Sequence, residues 1–451
     1  MKEKRSSFSG GLGFVLAAAG SAVGLGNLWR FPYLAAQYGG GIFIFVYLIL
    51  VLTFGYSMLV MEIGIGRKTK KSAISAFRQL DKRFSIFGYL SMLVPMIILP
   101  YYCVIGGWVL KYMMVFLTGQ TTAAATDGYF GDFIGGTISP MIMFLVFFGI
   151  TIVVVLAGVE KGVERVSKLM MPVLIIISIA ICIFVVTIQG AGEGIKYYLF
   201  PDFSKFSFKT VCGAMGQMFY SMSLAMGIMI SYGSYVKDDV NIGKAVGHIE
   251  IFDTGIAIMA GFMIVPAVYV FSGGEGLSAS GPGLMFMTLP KVFESMPFGT
   301  VIGAAFFVLV LLAALTSSIS IMEAIVSNLM DSFKVSRKKA VVIIVGISLV
   351  LGAASSMGNG AWSHITILGM DFLTFFDYVS NSVLMPIVAL GTSIMIGWSV
   401  GTKMIEDEVT KNGNKMGRVK VFRVMVKYLA PIAMVIILVF YSLAQFGIIT
   451  I

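Results

Sequence analysis

Apolar residues recur in runs of about 20 along nearly the whole chain, the length that a helix needs to cross the hydrocarbon core of a bilayer. Short segments that hold most of the charged residues separate these runs. The pattern predicts an all-α, polytopic membrane protein with eleven transmembrane helices. The predicted spans are residues 11–37, 41–65, 86–117, 138–157, 168–189, 210–235, 249–272, 300–330, 340–358, 370–400 and 426–448.

Composition and charge agree with this class. Of 451 residues, 58% are hydrophobic and 12% are charged, about half the charged share of a soluble domain. The net charge of +10 could indicate nucleic-acid binding, but the distribution of the basic residues argues against it. With a cytoplasmic N-terminus, 26 of the 32 Lys and Arg residues fall on the inner side and five on the outer side. This positive-inside asymmetry predicts that the C-terminus lies outside and that the basic side faces anionic lipid.

No polar linker divides the chain, so we predict a single transmembrane domain over residues 1–451. The odd number of spans permits two five-helix halves of opposite orientation, about residues 8–190 and 208–400, followed by an extra helix at about 426–448. The opening helix of each half is rich in glycine and small polar residues. Matching interrupted helices indicate a binding site near the bilayer midplane, although the letters of the two halves show no strong identity.

The first span contains the sequence GSAVGLGNLWRFPY at Gly20–Tyr33. Its glycines would let the helix unwind, and the freed carbonyls and amides can hold a cation and a carboxylate. Small residues also serve simply to bring helices close together in a membrane. Asn27 and Arg30 lie within the same two turns, and a charge at that depth is expensive. The combination favours a functional site.

This segment resembles the first-helix signature of the neurotransmitter:sodium symporters, in particular their bacterial eleven-span amino-acid transporters such as the leucine transporter. Similar motifs follow in order: GGGIF at Gly39–Phe43, MEIGIGR at Met61–Arg67, PYYCVIGGW at Pro100–Trp108, GQMFYSMSLAMG at Gly216–Gly227 and LTSSISIME at Leu315–Glu323. The resemblance implies an inverted five-plus-five helix bundle with broken helices 1 and 6. It also implies sodium-coupled uptake by alternating access across a bacterial inner membrane.

The resemblance further implies two Na⁺ sites built from hard oxygen ligands. The first would use the substrate carboxylate with Ala22 (carbonyl), Asn27, Ser221 and Asp253. The second would use the carbonyls of Gly20, Val23 and Ala313 with the hydroxyls of Thr316 and Ser317. The sequence around Thr316 also allows a local role, in which the hydroxyls bond carbonyls of their own helix.

A substrate pocket between the two broken helices is implied in the same way. The amides of Leu25 and Gly26 and the hydroxyl of Tyr102 would hold a carboxylate. The substrate amine would meet the carbonyls of Ala22, Tyr220 and Ser221 and the hydroxyl of Ser223. The side-chain pocket would be lined by Ile98, Tyr102, Tyr220, Met226, Ser317 and Ile321. This apolar and aromatic lining favours a neutral hydrophobic or aromatic L-amino acid, such as tyrosine, tryptophan or leucine.

Glycine at position 24 supports a substrate that brings its own carboxylate, because monoamine transporters of the family carry an aspartate there. Ser21, Tyr220 and Ser221 depart from the residues of the leucine transporter or from those usual in the family, which leaves the choice among amino acids open. Glu62 matches a buried acid that supports the unwound part of helix 6.

The resemblance implies two gates. Arg30 and Asp377 would approach each other across the outer vestibule, with Gln217 nearby. Arg5 and Asp331 would pair on the cytoplasmic side, where Phe8 stands in place of the more usual tryptophan. Arg5 can equally be a basic residue that only sets topology.

Asp253 carries a prediction about chloride. Chloride-dependent members have an asparagine at this position and a serine one turn later, where this chain has Ala257. Two sodium ions leave one positive charge that the substrate does not cancel, and Asp253 would neutralise it. We therefore predict chloride-independent transport. The alternative is that Asp253 only caps a polar contact near His248.

Enzymatic chemistry finds no support in the sequence. The chain has two histidines, and no GxSxG or GxxxxGK[ST] motif occurs. The three cysteines lie in separate apolar runs, so they predict no disulfide framework. A channel and a receptor that binds without transport are the rival classes. No feature of the sequence indicates an oligomeric state.

Overall fold

A computed structural model describes residues 7–271 and 282–445, and within them all regular secondary structure is helical, apart from two isolated bridges. We number the long helices in chain order. They are α1a (Gly11–Ala22), α1b (Gly26–Gln37), α2 (Gly41–Thr69), α3 (Lys82–Leu117), α4 (Ile138–Leu156), α5 (Val159–Val186), α6a (Phe208–Ser221), α6b (Ile228–Tyr235), α7 (Ile242–Phe271), α8 (Gly299–Phe333), α9 (Arg337–Met357), α10 (Phe372–Val400) and α11 (Val419–Gln445).

Nine of these helices, within the described residues, are long and apolar enough to cross a membrane. The pair α1a and α1b adds a tenth span, bent by 49° at its break. The pair α6a and α6b, interrupted at residues 222–227, occupies the sixth predicted span (residues 210–235) and brings the number of spans in the described part of the chain to eleven. The all-α membrane fold with two broken helices is therefore confirmed.

Three predicted spans began too late. Helix α5 starts at Val159 rather than at residue 168, α7 starts at Ile242 rather than at residue 249, and α11 starts at Val419 rather than at residue 426. Charged residues such as Lys161 and Arg165 occupy the first turns of α5, and a search for apolar runs excludes them. Charged residues are tolerated at helix ends because their side chains can reach the membrane interface.

Short helices connect the spans. They comprise Ala73–Leu80 before α3, Thr121–Ala125 and Tyr129–Gly135 before α4, Ala191–Leu199 before α6a, Leu284–Thr288 with Leu289–Ser295 before α8, and Lys403–Val409 before α11. Helix α8 runs along α3, and α6b packs against α2. The exposed apolar residues concentrate on α4, α5, α9 and α11, so α1, α3, α6 and α8 form the inner part of the bundle.

Glycine permits the closest helix contact near the centre. A Cβ atom added to Gly66 of α2 would lie 2.0 Å from the Ile230 carbonyl of α6b, and one added to Gly233 would lie 2.4 Å from the Ile63 carbonyl. Only glycine fits where two backbones approach so closely. This contact fixes α6b, and with it one side of the α6 break, against the long α2.

Candidate functional site

The break in α1 exposes backbone groups that a continuous helix would bond internally. Val23 takes an extended conformation directly after α1a. The amide of Gly24 donates to Oδ1 of Asn27 (3.0 Å), and the amide of Leu25 donates to the hydroxyl of Tyr102 on α3 (3.3 Å). The break is thus held by side chains from its own helix and from α3, as buried polar backbone groups require.

The break in α6 is supported by an acid on α2. Ser223, Ala225 and Gly227 all have positive φ, so the chain turns sharply between α6a and α6b. The carboxylate of Glu62 accepts a hydrogen bond from the Ala225 amide (2.7 Å). Glu62 therefore lies where the sequence analysis expected it, beneath the unwound part of α6.

The two breaks face each other across one central cavity. All eleven residues expected at the substrate site line this cavity, with Ser21 and Gly24 in addition. Space at Gly24 is tight, because an added Cβ would come within 2.4 Å of the Ser317 hydroxyl and 3.0 Å of the Tyr102 hydroxyl. No larger residue fits at position 24 without displacing these groups.

Hydroxyl groups from α6 and α8 bridge the break in α1. The hydroxyls of Ser223 and Ser317 both donate to the carbonyl of Ser21, and each of these two hydrogen bonds is 3.0 Å long. The Ser317 hydroxyl also lies 3.3 Å from the carbonyl oxygen of Val23. The hydroxyls of Ser21 and Ser223 are 3.3 Å apart. This cluster of neutral oxygen atoms matches the preference of a hard cation and of an ammonium group for oxygen.

The residues expected at the first sodium site surround one buried carboxylate. Asp253 on α7 accepts from Asn27 Nδ2 (2.7 Å) and from the Ser221 hydroxyl (2.7 Å), while the Tyr47 hydroxyl lies 3.4 Å from its other oxygen. Asp253 is fully buried eleven residues into α7, whereas His248 is exposed. The alternative interpretation of Asp253 as a cap near His248 is therefore wrong.

The residues expected at the second sodium site meet between α1a and α8. A Cβ added to Gly20 would lie 3.3 Å from Cβ of Thr316. The Thr316 hydroxyl bonds the Ala313 carbonyl (3.0 Å) and the Leu312 carbonyl (3.2 Å). The local role that the sequence allowed for Thr316 is thus present, and it places this hydroxyl beside another expected ligand, the Ala313 carbonyl.

The expected outer-gate residues lie above the central cavity. Arg30 and Asp377 line the same two outer cavities as Tyr220, and the Arg30 guanidinium lies over the Tyr220 ring (5.4 Å to its centroid). No Arg30–Asp377 ion pair within 4.0 Å occurs in the described part of the chain. Asp377 instead accepts from Asn381 (2.6 Å) and Tyr101 (3.2 Å). Gln217 donates to the Gly26 carbonyl (2.8 Å).

Arg5, expected at the cytoplasmic gate, lies outside the described residues. Its expected partner Asp331 accepts from the amide of Ser72 (2.8 Å). Phe8 is buried against Tyr235, and its amide donates to the Tyr235 carbonyl (3.2 Å). Aromatic packing therefore closes the inner end of the bundle.

A second set of polar contacts near the start of α1a was not predicted from the sequence. Glu164 of α5 accepts from the amide of Ser9 (2.8 Å) and from its hydroxyl, and Lys168 pairs with the same carboxylate (2.6 Å). Lys237 donates to the Ser9 carbonyl (2.9 Å). We call Ser9, Glu164, Lys168 and Lys237 the inner clasp. It ties the start of α1a to α5 and to the chain after α6b.

Other site residues were missed because they are distant in sequence. Tyr47 contacts Asp253, and Tyr101 and Asn381 hold Asp377. Tyr101 lies beside Tyr102 in the motif PYYCVIGGW at Pro100–Trp108, and this neighbourhood is the signal in the sequence that could have identified it as a site residue. Tyr47 carries no local signal, because a tyrosine in an apolar helix is ordinarily a packing residue.

Known proteins resemble this chain over nearly its full length. MhsT, solved in complex with L-phenylalanine, has 36% sequence identity and a TM-score of 0.87, with 97% of this chain and 99% of that chain covered. The uncharacterised sodium-dependent transporter YhdH of Bacillus subtilis is 32% identical over 97% of both chains. The human sodium- and chloride-dependent GABA transporter 2 is 27% identical over 90% of this chain and 75% of that protein.

The profile of the sodium:neurotransmitter symporter family matches residues 5–128 and 132–450. The match includes both helix breaks and the residues around the central cavity. With the fold and the relatives in agreement, the chain is a multi-pass membrane transporter rather than an enzyme, and it belongs to the sodium:neurotransmitter symporter family.

Proposed function

We propose that this protein couples sodium entry to the uptake of a neutral hydrophobic or aromatic L-amino acid by alternating access. The observation that carries the proposal is the central cavity, in which two broken helices meet beside the buried carboxylate of Asp253. Backbone groups and hydroxyls thus converge on a space enclosed by apolar and aromatic side chains, and the Asp253 carboxylate lies behind this space, bonded to Asn27 and Ser221.

The cavity chemistry supports a zwitterionic substrate with an apolar side chain. The Leu25 amide and the Tyr102 hydroxyl would hold the carboxylate. The carbonyls of Ala22, Tyr220 and Ser221 and the Ser223 hydroxyl, which all line the cavity, would meet the amine. Among the described residues, no Asp, Glu, Lys or Arg side chain lines the cavity, so a charged substrate side chain would be buried without a partner. Met226 can adapt its shape to a ring, and the similar MhsT was solved with L-phenylalanine.

Two sodium ions would be carried with the amino acid. The first would sit beside Asn27, Ser221 and Asp253 and take the substrate carboxylate as a further ligand. The second would use the oxygen atoms between α1a and α8. Because the substrate would complete the first site, sodium and amino acid would each strengthen the binding of the other.

Transport would be independent of chloride. Asp253 supplies a fixed negative charge at the first site, and Ala257, one turn later on α7, offers an anion no hydroxyl. Chloride independence would differ from a known property of one relative, which is a sodium- and chloride-dependent transporter.

The arrangement of barriers favours a transporter over a channel. Arg30, Tyr220 and Asp377 lie on the outer side of the cavity, whereas Phe8 and the inner clasp lie on the other side. The N-terminus would face the cytoplasm of a bacterial inner membrane and the C-terminus the outside, since this orientation places most Lys and Arg residues inside.

The test is uptake of labelled L-phenylalanine by the purified protein in proteoliposomes, with an inward sodium gradient. We expect saturable, concentrative uptake that potassium does not support and that neutral hydrophobic amino acids inhibit in competition. Non-saturable flux would indicate a channel, and sodium-dependent binding without uptake would indicate a receptor. Preferential inhibition by lysine or glutamate would contradict the substrate class.

A further inference from the structure

A groove that the transport site does not use opens at the end of the bundle that carries most of the Lys and Arg residues. It lies between the start of α7 and the chain that leads into α11. Its lining includes Tyr56, Asn241, Lys244, Lys415 and Arg418. Each of these side chains carries a polar or positively charged group, whereas the side chains around the central cavity are largely apolar.

The groove carries more positive than negative charge. Lys244 and Lys415 are exposed, and within the described residues neither forms an ion pair. Arg418 bonds Glu250 (3.0 Å) and lies over the ring of Tyr56 (4.3 Å to its centroid), so its guanidinium is fixed in place. Two unpaired ammonium groups therefore flank one oriented guanidinium, an arrangement suited to a phosphate group.

An apolar surface leads away from this groove along the membrane-facing side of α7. Gly247, Ile251 and Gly255 lie four residues apart on one helix face. A Cβ added to Gly247 or Gly255 would meet no atom within 4 Å, and Ile251 is 70% exposed. The two glycines thus leave shallow, unfilled space on either side of one exposed apolar residue.

The neighbouring α2 continues this apolar surface. Phe45, Ile49 and Leu52 of α2 are exposed, and α2 packs against α7. Arg418 donates to the carbonyl of Leu52 (3.0 Å), which joins the basic groove directly to the apolar face. A ligand that matches both parts needs an anionic head and a long hydrocarbon tail.

We infer that this groove binds one anionic phospholipid, with the phosphate between Lys244, Lys415 and Arg418 and an acyl chain along Gly247, Ile251 and Gly255. Basic pockets at the cytoplasmic ends of membrane helices attract anionic headgroups. The apolar continuation favours a lipid over a soluble phosphate, because each buried methylene group adds to lipid binding and a free phosphate has none.

The test is lipid titration of the delipidated protein in detergent, with bound lipid counted by native mass spectrometry. Phosphatidylglycerol should bind more tightly than phosphatidylcholine with the same acyl chains. The double variant Lys244→Gln/Lys415→Gln should weaken phosphatidylglycerol binding roughly tenfold to thirtyfold, since each cation near a headgroup contributes on the order of 1 kcal/mol. The control Lys338→Gln/Lys339→Gln removes two exposed charges from the start of α9 and should bind like the parent.

A second variant separates lipid from soluble anion. Gly255→Leu fills open space on the helix surface outside the groove lining and improves helix propensity, so the protein should fold. It should weaken phosphatidylglycerol binding and leave the charged groove intact. Equal binding of phosphatidylglycerol by parent, lysine variant and Gly255→Leu would overturn the inference. So would full displacement of the lipid by millimolar inorganic phosphate, which would assign the groove to a soluble anion.

Discussion

At the scale of single residues, Tyr102 has the most direct expected contact with substrate. Its hydroxyl already accepts from the Leu25 amide at the α1 break, and it would donate to the substrate carboxylate. Tyr102→Phe should weaken amino-acid binding by roughly 1.5–3 kcal/mol, the range for a hydrogen bond to a charged group. Sodium-dependent binding of labelled phenylalanine measures this change.

The ring of Tyr102 should keep the fold intact, so the variant should be produced in normal amounts. Tyr101→Phe is a matched control, because Tyr101 bonds Asp377 rather than the α1 break. Unchanged affinity in Tyr102→Phe would mean that backbone amides alone hold the carboxylate.

Asp253 should decide the response to chloride. It is the one protein carboxylate among the expected sodium ligands, with hydrogen bonds from Asn27 and Ser221. Asp253→Asn replaces the charge with a neutral group of the same shape and should weaken apparent sodium affinity about tenfold to a hundredfold. The measurement is sodium-dependent uptake, with chloride present or replaced by gluconate.

The parent protein should transport equally well in chloride and in gluconate, because Asp253 supplies the counter-charge. Thr254→Ala, which removes the neighbouring hydroxyl on α7, should keep the sodium affinity of the parent. Strong chloride dependence in the parent would refute the assignment of Asp253.

At the scale of elements, the breaks and the contacts around them should control movement rather than folding. Arg30 ends the first turn of α1b, where it stacks on Tyr220 at the outer side of the cavity. Arg30→Ala should retain part of the substrate binding and lose most transport. The reason is that the outer gate would have to close over the cavity without the Arg30 guanidinium. Binding and uptake are measured on the same preparation.

Arg30→Lys provides the matched control, since it keeps the charge and removes the planar guanidinium. A purely structural role for Arg30 would appear instead as loss of folded protein. Uptake by Arg30→Ala equal to that of the parent would remove Arg30 from the mechanism.

The inner clasp should hold the start of α1a in place. Glu164→Gln removes the charge that Lys168 pairs with and weakens the acceptor for Ser9. We expect the inner side to open more often, which would raise the labelling rate of a cysteine placed at Ser234 by several-fold. The background protein should lack Cys103, Cys182 and Cys212.

The exposed Glu160, on the same helix as Glu164, supplies the control. Glu160→Gln should leave labelling at the level of the parent. An unchanged rate in Glu164→Gln as well would show that the clasp does not restrain α1a.

At the scale of the whole molecule, sodium and substrate should stabilise the bundle jointly. The residues expected to hold sodium and substrate come from α1, α3, α6, α7 and α8, so occupied sites would tie five helices together. A ligand that binds only the folded state at a hundred times its Kd adds about 2.7 kcal/mol of stability. Phenylalanine should therefore raise the Tm with sodium present and hardly at all in potassium.

D-Phenylalanine is the control for this measurement, because with its amine and carboxylate held at the two breaks its side chain would point away from the apolar lining. Equal shifts from L-phenylalanine in sodium and in potassium would argue against a sodium ion that shares the substrate carboxylate.

Sequence determined the membrane class, the number of spans and the two breaks. These properties depend on local composition: long apolar runs must become helices in lipid because every backbone group needs a partner within its own segment. Gly20, Gly24 and Gly26 marked the first break for the same local reason. The order of motifs then indicated which residues belong together around the cavity.

Only the tertiary structure decided which side chains from different helices touch. Tyr47 reaches Asp253 across 206 positions of the chain, and Ser9 reaches Glu164 across 155, distances over which a single sequence carries no pairing signal. The early starts of α5 and α7 and the separation of Arg30 from Asp377 also depend on packing. The groove beside Lys244 and Lys415 depends on packing as well, because these residues form a site only where the fold brings the start of α7 next to the chain before α11.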